Sequence, residues 1–333
     1  MSSITPVNTY YLPSGRVIVS KTADNYLIES TEMRDVKVQS KGSAEVRETF
    51  DPRIIWRHLG DINEKWLLTV STQKGCPHNC QFCDVSPLPF KGNLTKDEIL
   101  DQVRMLIAST PEIQTRGSHK AKIGFARMGE PSHNLNNVVA AMKELPCLID
   151  NVTWLPCFNS ILPRFTMEGL SGIEVLKKVL DLKEQVFGGN LHLQISVNST
   201  DNDIRKRLFG DAEVISIEEI MQTVSEYPIT TRTVTLNFIS MKGVPIDVAY
   251  LQRLGLTPEK FAVKIIPLNA TNNGASHNLE TEYNYSNYEE LQDVESQFRA
   301  MGIPTVIDAV AKCEEAGLCC GQILQDYYGD FTN

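Results

Sequence analysis

The 333-residue sequence has no apolar run long enough to cross a bilayer, and its start, Met1-Ser-Ser-Ile-Thr-Pro6, has no basic stretch followed by an apolar one. Neither a membrane span nor a secretory signal is expected, and the address read from the sequence is the cytoplasm. A basic excess is missing too: 32 Lys and Arg stand against 41 Asp and Glu, a net charge of −9. Proteins that neutralise nucleic-acid phosphates usually carry a basic face, and no such overall signature exists here. The deficit is local. Residues 1–65 hold nine cations and nine acids and residues 66–267 hold 21 of each, whereas in 268–333 only Arg299 and Lys312 oppose eleven acids. Arg205-Lys206-Arg207 is the densest basic run, read either as part of a local basic groove or as a solvated helix face. With 42% hydrophobic and 22% charged residues the chain buries a sizeable core, which excludes disorder and a disulfide-stapled miniature.

Without a secretory signal the eight cysteines should be reduced thiols, so their spacing points to metal or redox chemistry. Cys76, Cys80 and Cys83 form C-x3-C-x2-C within Gly75–Asp84. Three thiolates on a four-iron cluster would leave one iron open to a substrate or cofactor. A structural zinc would want a fourth ligand, for which His78 is nearest, and usually a second knuckle, which the sequence lacks. Three unrelated core cysteines are the remaining reading.

Apolar runs at 66–71, 122–128, 151–157, 191–197, 233–239 and 261–267 read as strands. Helical patterns fall near 95–109, 135–145, 172–186, 216–226, 247–253 and 287–301, the first opened by a Thr95/Glu98 capping box. This alternation predicts an α/β fold: a parallel sheet covered by helices, in six βα units that suit a partial barrel. Chemistry in such barrels gathers on loops at the C-terminal strand ends, where the three cysteines, Glu130, Ser196 and Asn269 fall. Residues 1–65 look β-rich, with Asn25–Glu29 and Val36–Val38 as hairpin strands around Thr31–Arg34. Residues 66–310 are read as the barrel and 311–333 as a C-terminal segment carrying Cys320, while 110–121 and 269–287 are read as long polar loops.

These residues carry a resemblance. The sequence is similar to radical S-adenosylmethionine (SAM) enzymes, most of all to the RlmN/Cfr family of RNA (adenine) methyltransferases. Beyond the cysteine triplet, Met128-Gly129-Glu130-Pro131, Asn134–Val139 with Ala141-Met142, Ile195-Ser196-Val197 with Asp203-Ile204-Arg205, Ile266-Pro267-Leu268-Asn269 and Cys320-Gly321-Gln322 resemble that family's segments in the same order. The resemblance implies that Cys76, Cys80 and Cys83 ligate a [4Fe-4S] cluster whose free iron binds SAM. It implies that Gly129, Glu130, Ser196 and Asn269 contact SAM, with Phe82 near its adenine, and that Cys320 is the methyl-carrying catalytic cysteine. A reducing partner such as flavodoxin or ferredoxin would supply electrons, and the reduced cluster should be oxygen-sensitive. Read alone, Glu130 is an ordinary helix N-terminal acid, Asn269 a turn former, and Phe82 and His78 loop filler.

Departures from the family bear on the substrate. Its second, resolving cysteine stands seven residues before the cluster motif, where this sequence has Thr69; Cys157 or Cys319 is a candidate replacement, with Cys147, Cys157 and Cys313 otherwise read as core. The family's N-terminal helical extension and basic tail have no counterpart. The leading expectation is a methyl-synthase-type modification of a nucleobase in RNA or a nucleotide. The alternative is direct hydrogen abstraction from a small molecule or peptide by the 5′-deoxyadenosyl radical.

Overall fold

The computed structural model describes residues 3–12, 14–34, 60–282, 289–307 and 318–329. One ten-stranded sheet organises them. Strands β1 (Ile4–Leu12), β2 (Gly15–Thr22) and β3 (Leu27–Arg34) are antiparallel and pair in sequence. Strand β3 then pairs antiparallel with β4 (Trp66–Val70). From β4 onward every pairing is parallel and sequential, through β5 (Ser118–Gly124), β6 (Val152–Ser160), β7 (His192–Ser196), β8 (Val234–Ser240), β9 (Phe261–Pro267) and the short β10 (Thr305–Ile307).

Between these strands run α1 (Lys96–Ala108), α2 (Pro111–Arg116), α3 (Leu135–Glu144), α4 (Gly172–Asp181), α5 (Asn202–Leu208), α6 (Ile217–Glu226), α7 (Val248–Arg253), α8 (Asn272–Ser276) and α9 (Glu289–Ala300), with α10 (Gln322–Gly329) last. Helices α1, α4 and α6 open with the same device. Thr95, Ser171 and Ser216 each cap the backbone three residues on, and Glu98, Glu174 and Glu219 reach back. Sequential parallel strands joined by right-handed crossovers put the helices on one face, and each strand's alternate residues are buried there: Trp66 and Leu68, Ala121 and Ile123, Leu193 and Ile195, Phe261 and Val263. The other face lines the inside of a partial α/β barrel. Among the described residues no helix is long and apolar enough to cross a membrane.

Several boundaries differ from the sequence reading. The second parallel strand ends at Gly124, and 125–130 form a loop whose Arg127 N–H bonds the Val70 carbonyl at 3.0 Å. Residues 110–121 are not a loop: Pro111 starts α2, Gly117 stops it, and β5 begins at Ser118. Part of 269–287 is α8, capped by the Thr271 hydroxyl on the Gly274 N–H. The N-terminal hairpin turns at residues 23–26, where Asn25 takes a left-handed φ of 65°, so Thr31–Arg34 are strand rather than turn; Val36–Val38 lie outside the described residues. Arg205 is neither groove nor solvated face. It is fully buried, with Nε on the Val197 carbonyl at 3.0 Å, and Lys206 is paired with Glu213.

Candidate functional site

The loop after β4 carries Cys76, Cys80 and Cys83, and the rest of the molecule holds it by its backbone. Asn273 Nδ2 donates to the carbonyls of Cys80 at 2.9 Å and Cys83 at 3.2 Å, and Ser86 Oγ to that of Cys80 at 2.8 Å. Asp84, fully buried, accepts the backbone N–H groups of Asn272 and Asn273 at 3.1 and 2.7 Å, which ties the loop to the N-terminus of α8. Peptide groups are consumed in this way, so the thiols are left to face one another. Burial pushes all three thiols up, Cys83 to about 12; Cys80 feels the charges of both neighbours and Cys83 feels that of Cys320. Among the described residues no three Cys, His, Asp or Glu side chains converge on one ion-sized point. A four-iron cluster does not ask for that, since each cysteine takes its own iron, whereas a single zinc does.

Cys320 reaches this loop from the other end of the chain. Gly321 has a φ of +82°, and a Cβ there would stand 2.7–2.8 Å from the Asp84–Val85 backbone, so only glycine lets the C-terminal segment lie so close to the cysteine loop. Arg127 completes the clamp. Its NH2 donates to the carbonyls of Leu318 at 2.9 Å and Cys319 at 3.1 Å, and its NH1 lies 3.6 Å from Cys320 Sγ. Glu29 of β3, 0% exposed, accepts Arg127 Nε at 2.7 Å and the Gly321 N–H at 3.1 Å. An N-terminal strand, the segment before Met128-Gly129 and the Cys320 loop are thus joined in one buried ion pair. Nothing local in the sequence marks Glu29 or Arg127, whose partnership spans 98 residues.

At the ends of β5 and β6 the polar groups are closed among themselves. Glu130 accepts Ser160 Oγ at 2.6 Å, the Ser132 N–H at 3.0 Å and the Ile161 N–H at 3.1 Å. Its carboxylate is spent on this framework, and it also caps the short turn Pro131–Asn134, as an ordinary N-terminal acid does. Gly129, at φ +94°, leaves room for Gln73, whose Oε1 accepts the Glu130 N–H at 2.8 Å. The carbonyls of Met128 and Glu130 are bound by Thr72 and His133 N–H groups at 2.9 and 3.0 Å, so the Gly129 carbonyl between them is the acceptor this segment has to offer. His78 stacks on His133 with their Nε2 atoms 2.8 Å apart; burial drives both imidazoles down, His133 to about 4.

Across the mouth lie Ser196 at the end of β7 and Asn269 just after β9. Ser196 pairs in register with Asn237, and Asn198 follows in a left-handed turn at φ 62°. Asn198 Nδ2, Asn237 Oδ1 and Asn269 Oδ1 are buried without a hydrogen-bond partner. Phe82 packs edge-on against Phe209, with ring centroids 6.0 Å apart, in a small cluster with Cys80 and Ile161. Thr69, on the inner face of β4, has its hydroxyl bonded to that of Thr31. Cys319 is buried beside Cys320, and Cys157 is buried on the inner face with its Sγ 3.7 Å from His192 Nδ1. Cys147, read from the sequence as core, is exposed, because it sits in the turn after α3; Cys313 lies outside the described residues.

Residues 70–248, just over half the chain, match the model of the Radical SAM superfamily. The chain belongs to that superfamily. It is 29% identical over 266 residues to the ribosomal RNA large subunit methyltransferase N of Nitrosopumilus maritimus, spanning 79% of this chain and 69% of that one. It is 28% identical over 258 residues to the dual-specificity RNA methyltransferase RlmN of Helicobacter hepaticus, spanning 76% of this chain and 62% of that protein. The crystal structure of a radical SAM methyltransferase from Sphaerobacter thermophilus superposes with a TM-score of 0.66 at 22% identity, over 97% of this chain and 81% of that one. SuiB of Streptococcus suis bound to S-adenosylmethionine superposes at 0.50 and 12%, over 75% and 51%. Structural likeness at these identities speaks to the fold, and it agrees with the partial barrel described above.

Proposed function

We propose that this radical SAM enzyme is of methyl-synthase type and modifies a nucleobase. In this reading Cys76, Cys80 and Cys83 hold a [4Fe-4S] cluster, Gly129, Glu130, Ser196 and Asn269 surround SAM, Phe82 flanks its adenine, and Cys320 carries the methyl group. The residues suit these groups. Three thiols in a loop free of carboxylate ligands are a soft donor set, and the Gly129 carbonyl with the orphaned Asn269 Oδ1 are acceptors for an ammonium. When bound, the cluster supplies the electron that cleaves SAM to a 5′-deoxyadenosyl radical, chemistry no side chain provides. The chain's own part is to position and to exclude water. Glu130 fixes the strand-end loop through three bonds, and Arg127 and Gly321 hold Cys320 to the cysteine loop.

The observation that carries the reading is the approach of Cys320 to Cys83, made by Gly321 against Asp84–Val85 and by the Arg127 clamp. The relatives' names, which are those of RNA methyltransferases, support RNA as the molecule modified. The test is peptide mass spectrometry of the anaerobically reconstituted protein after incubation with methyl-labelled SAM and reductant. One labelled methyl on Cys320 is expected. One observation favours a second reading, direct hydrogen abstraction from another substrate: Thr69, in place of a resolving thiol, has its hydroxyl engaged by Thr31. Formation of 5′-deoxyadenosine with no label on Cys320 would select it.

A further inference from the structure

Strands β6, β7 and β8 turn amides toward the inside of the barrel. Alternation puts Phe158, Ile195, Leu236 and Phe238 on the helix side, where they are buried in the main core, and Asn159, Gln194 and Asn237 on the inner side. Register brings the three amides together. Asn159 and Gln194 are cross-strand partners, Gln194 faces Thr235 on the next strand, and Asn237 stands two residues further along β8, opposite Ser196. Thr235 is already engaged, since it bonds His192 Nε2 at 2.8 Å.

The fold itself uses none of these amides. Among the described residues the side chains of Asn159 and Gln194 make no hydrogen bond, and both are only half-buried, so open space adjoins them. Asn237 is 5% exposed, and its Oδ1 has no partner. Asn159 Nδ2 lies over Gly124, 3.4 Å from where a Cβ would stand, and only the Thr69 methyl group comes closer to that point. Glycine thus leaves the Asn159 amide uncovered on that side. An amide offers a donor and an acceptor without net charge, so several unpaired amides on one wall are complementary to an uncharged ligand with donors and acceptors of its own. At Asn237 the missing partner is a donor, because an oxygen is orphaned; at Asn159 Nδ2 it is an acceptor.

We infer that Asn159, Gln194 and Asn237 are specificity-determining residues that read the amidine edge of the substrate's base. The exocyclic amine donates to Asn237 Oδ1 and the ring nitrogen beside it accepts from Asn159 Nδ2, with Gln194 placed to give and take at the same edge. Adenine and cytosine share this edge, and a base without the amine leaves the Asn237 oxygen unpaired. An uncharged amide wall holds no phosphate, so it reads the base alone. The inference rests on the proposed function for the choice of a base as substrate. Methyl labelling of Cys320 needs reductant and no base, whereas base recognition is measured in the unreduced protein, so either can fail without the other.

The probes are two pairs of nucleosides that differ in the exocyclic amine: adenosine with purine riboside, and cytidine with 2-pyrimidinone riboside. They are titrated calorimetrically into the anaerobically reconstituted holoenzyme, unreduced and saturated with SAM, so that no probe enters the SAM site. At least one aminated nucleoside should bind about tenfold more tightly than its deaminated counterpart, and the pair that shows the ratio tells adenine from cytosine. Asn237→Leu should bring that ratio close to one by weakening the aminated member alone, and Asn237→Asp, which keeps an acceptor, should retain it. Asn159→Leu should weaken both members of the pair equally, because the ring nitrogen is common to them. Should these variants fail to fold, the wild-type ratios still decide. Absence of nucleoside binding, wild-type ratios near one for both pairs, or an Asn237→Leu protein that keeps the ratio would overturn the inference. A fall in SAM affinity in Asn159→Leu and Asn237→Leu with the ratio unchanged would overturn it too, assigning the amides to SAM.

Discussion

The two sides of the barrel mouth are built differently. On the side of β5 and β6 every polar group of the Glu130 framework has an internal partner, while on the side of β7 to β9 Asn198, Asn237 and Asn269 each keep a buried atom with none. Leaving a buried polar atom unpaired costs about 1–3 kcal/mol, so the three amide atoms gathered on this wall call for a partner, from water or a ligand. The first wall is largely closed by folding, with Glu29 Oε1 in the Arg127 ion pair left without a partner, and the second keeps three amide atoms open to one. Substitutions on the first should therefore show in stability, and substitutions on the second in binding.

The largest effect is expected where the finished side is most tightly knotted. Arg127→Met would leave Glu29 buried and uncompensated, and losing one partner of a buried ion pair costs about 3–5 kcal/mol. Chemical denaturation should show that loss, and Cys320 should alkylate faster once Leu318 and Cys319 lose their donor. Arg127→Lys should recover part of both, keeping the charge without the two-pronged hydrogen bonding. An unchanged unfolding midpoint would mean that the ion pair contributes nothing beyond its own desolvation.

Next comes Glu130→Ala. It strips acceptors from two backbone N–H groups and the Ser160 hydroxyl, a cost of about 2–4 kcal/mol in unfolding free energy if part of the gap refills with water. Glu130→Gln should cost less, since its remaining carbonyl oxygen can still accept. If Glu130→Ala were as stable as the parent but failed to bind SAM, the carboxylate would belong to the ligand rather than to the framework.

The finished side was also the harder one to read. The cysteine triplet and the Thr95/Glu98 capping box are local patterns, so spacing alone revealed them, and the boundaries of β9 and α1 fell within a residue of the expected ones. Arg127 looked like part of a strand, because the run from Lys122 to Met128 is mostly apolar and nothing in it announces that the ladder stops at Gly124. Its partner Glu29 lies in a hairpin whose turn is hard to place from sequence, since the left-handed Asn25 competes with an equally polar stretch at Thr31–Arg34. Partnerships across 98 or 193 residues leave no periodicity behind. Lys122 and Lys264 leave no local signal either: they stand on strands far apart in the sequence, and only the register puts them on one face.

A smaller effect is expected from His192, on the inner face between the two lysines. Burial lowers its folded-state pKa to about 3, so below about pH 6.5 the unfolded chain takes up a proton that the folded one refuses. Stability contributed by the neutral imidazole is complete above that pH and declines as pH falls toward 3. Denaturant titrations at pH 6.5 and 5 should show the wild type losing about 1.5 kcal/mol more than His192→Gln over that interval. Parallel pH profiles for the two proteins would mean that solvent already reaches the ring and that the inner face is wetter than its register implies.

The smallest change in stability should come from the unfinished side. Asn269→Ala removes a buried oxygen that has no partner, so nothing is left unpaired and the unfolding free energy should move by less than about 1 kcal/mol, in either direction. Its effect should appear instead in SAM affinity, where losing one acceptor for a charged ammonium weakens binding about tenfold, read by equilibrium dialysis of the reconstituted protein. Glu130→Ala and Asn269→Ala then exchange signatures, one destabilising the fold and the other sparing it. If Asn269→Ala instead unfolded the protein while leaving SAM affinity intact, the orphaned oxygen would be a structural debt of β9, and the two walls of the mouth would be alike after all.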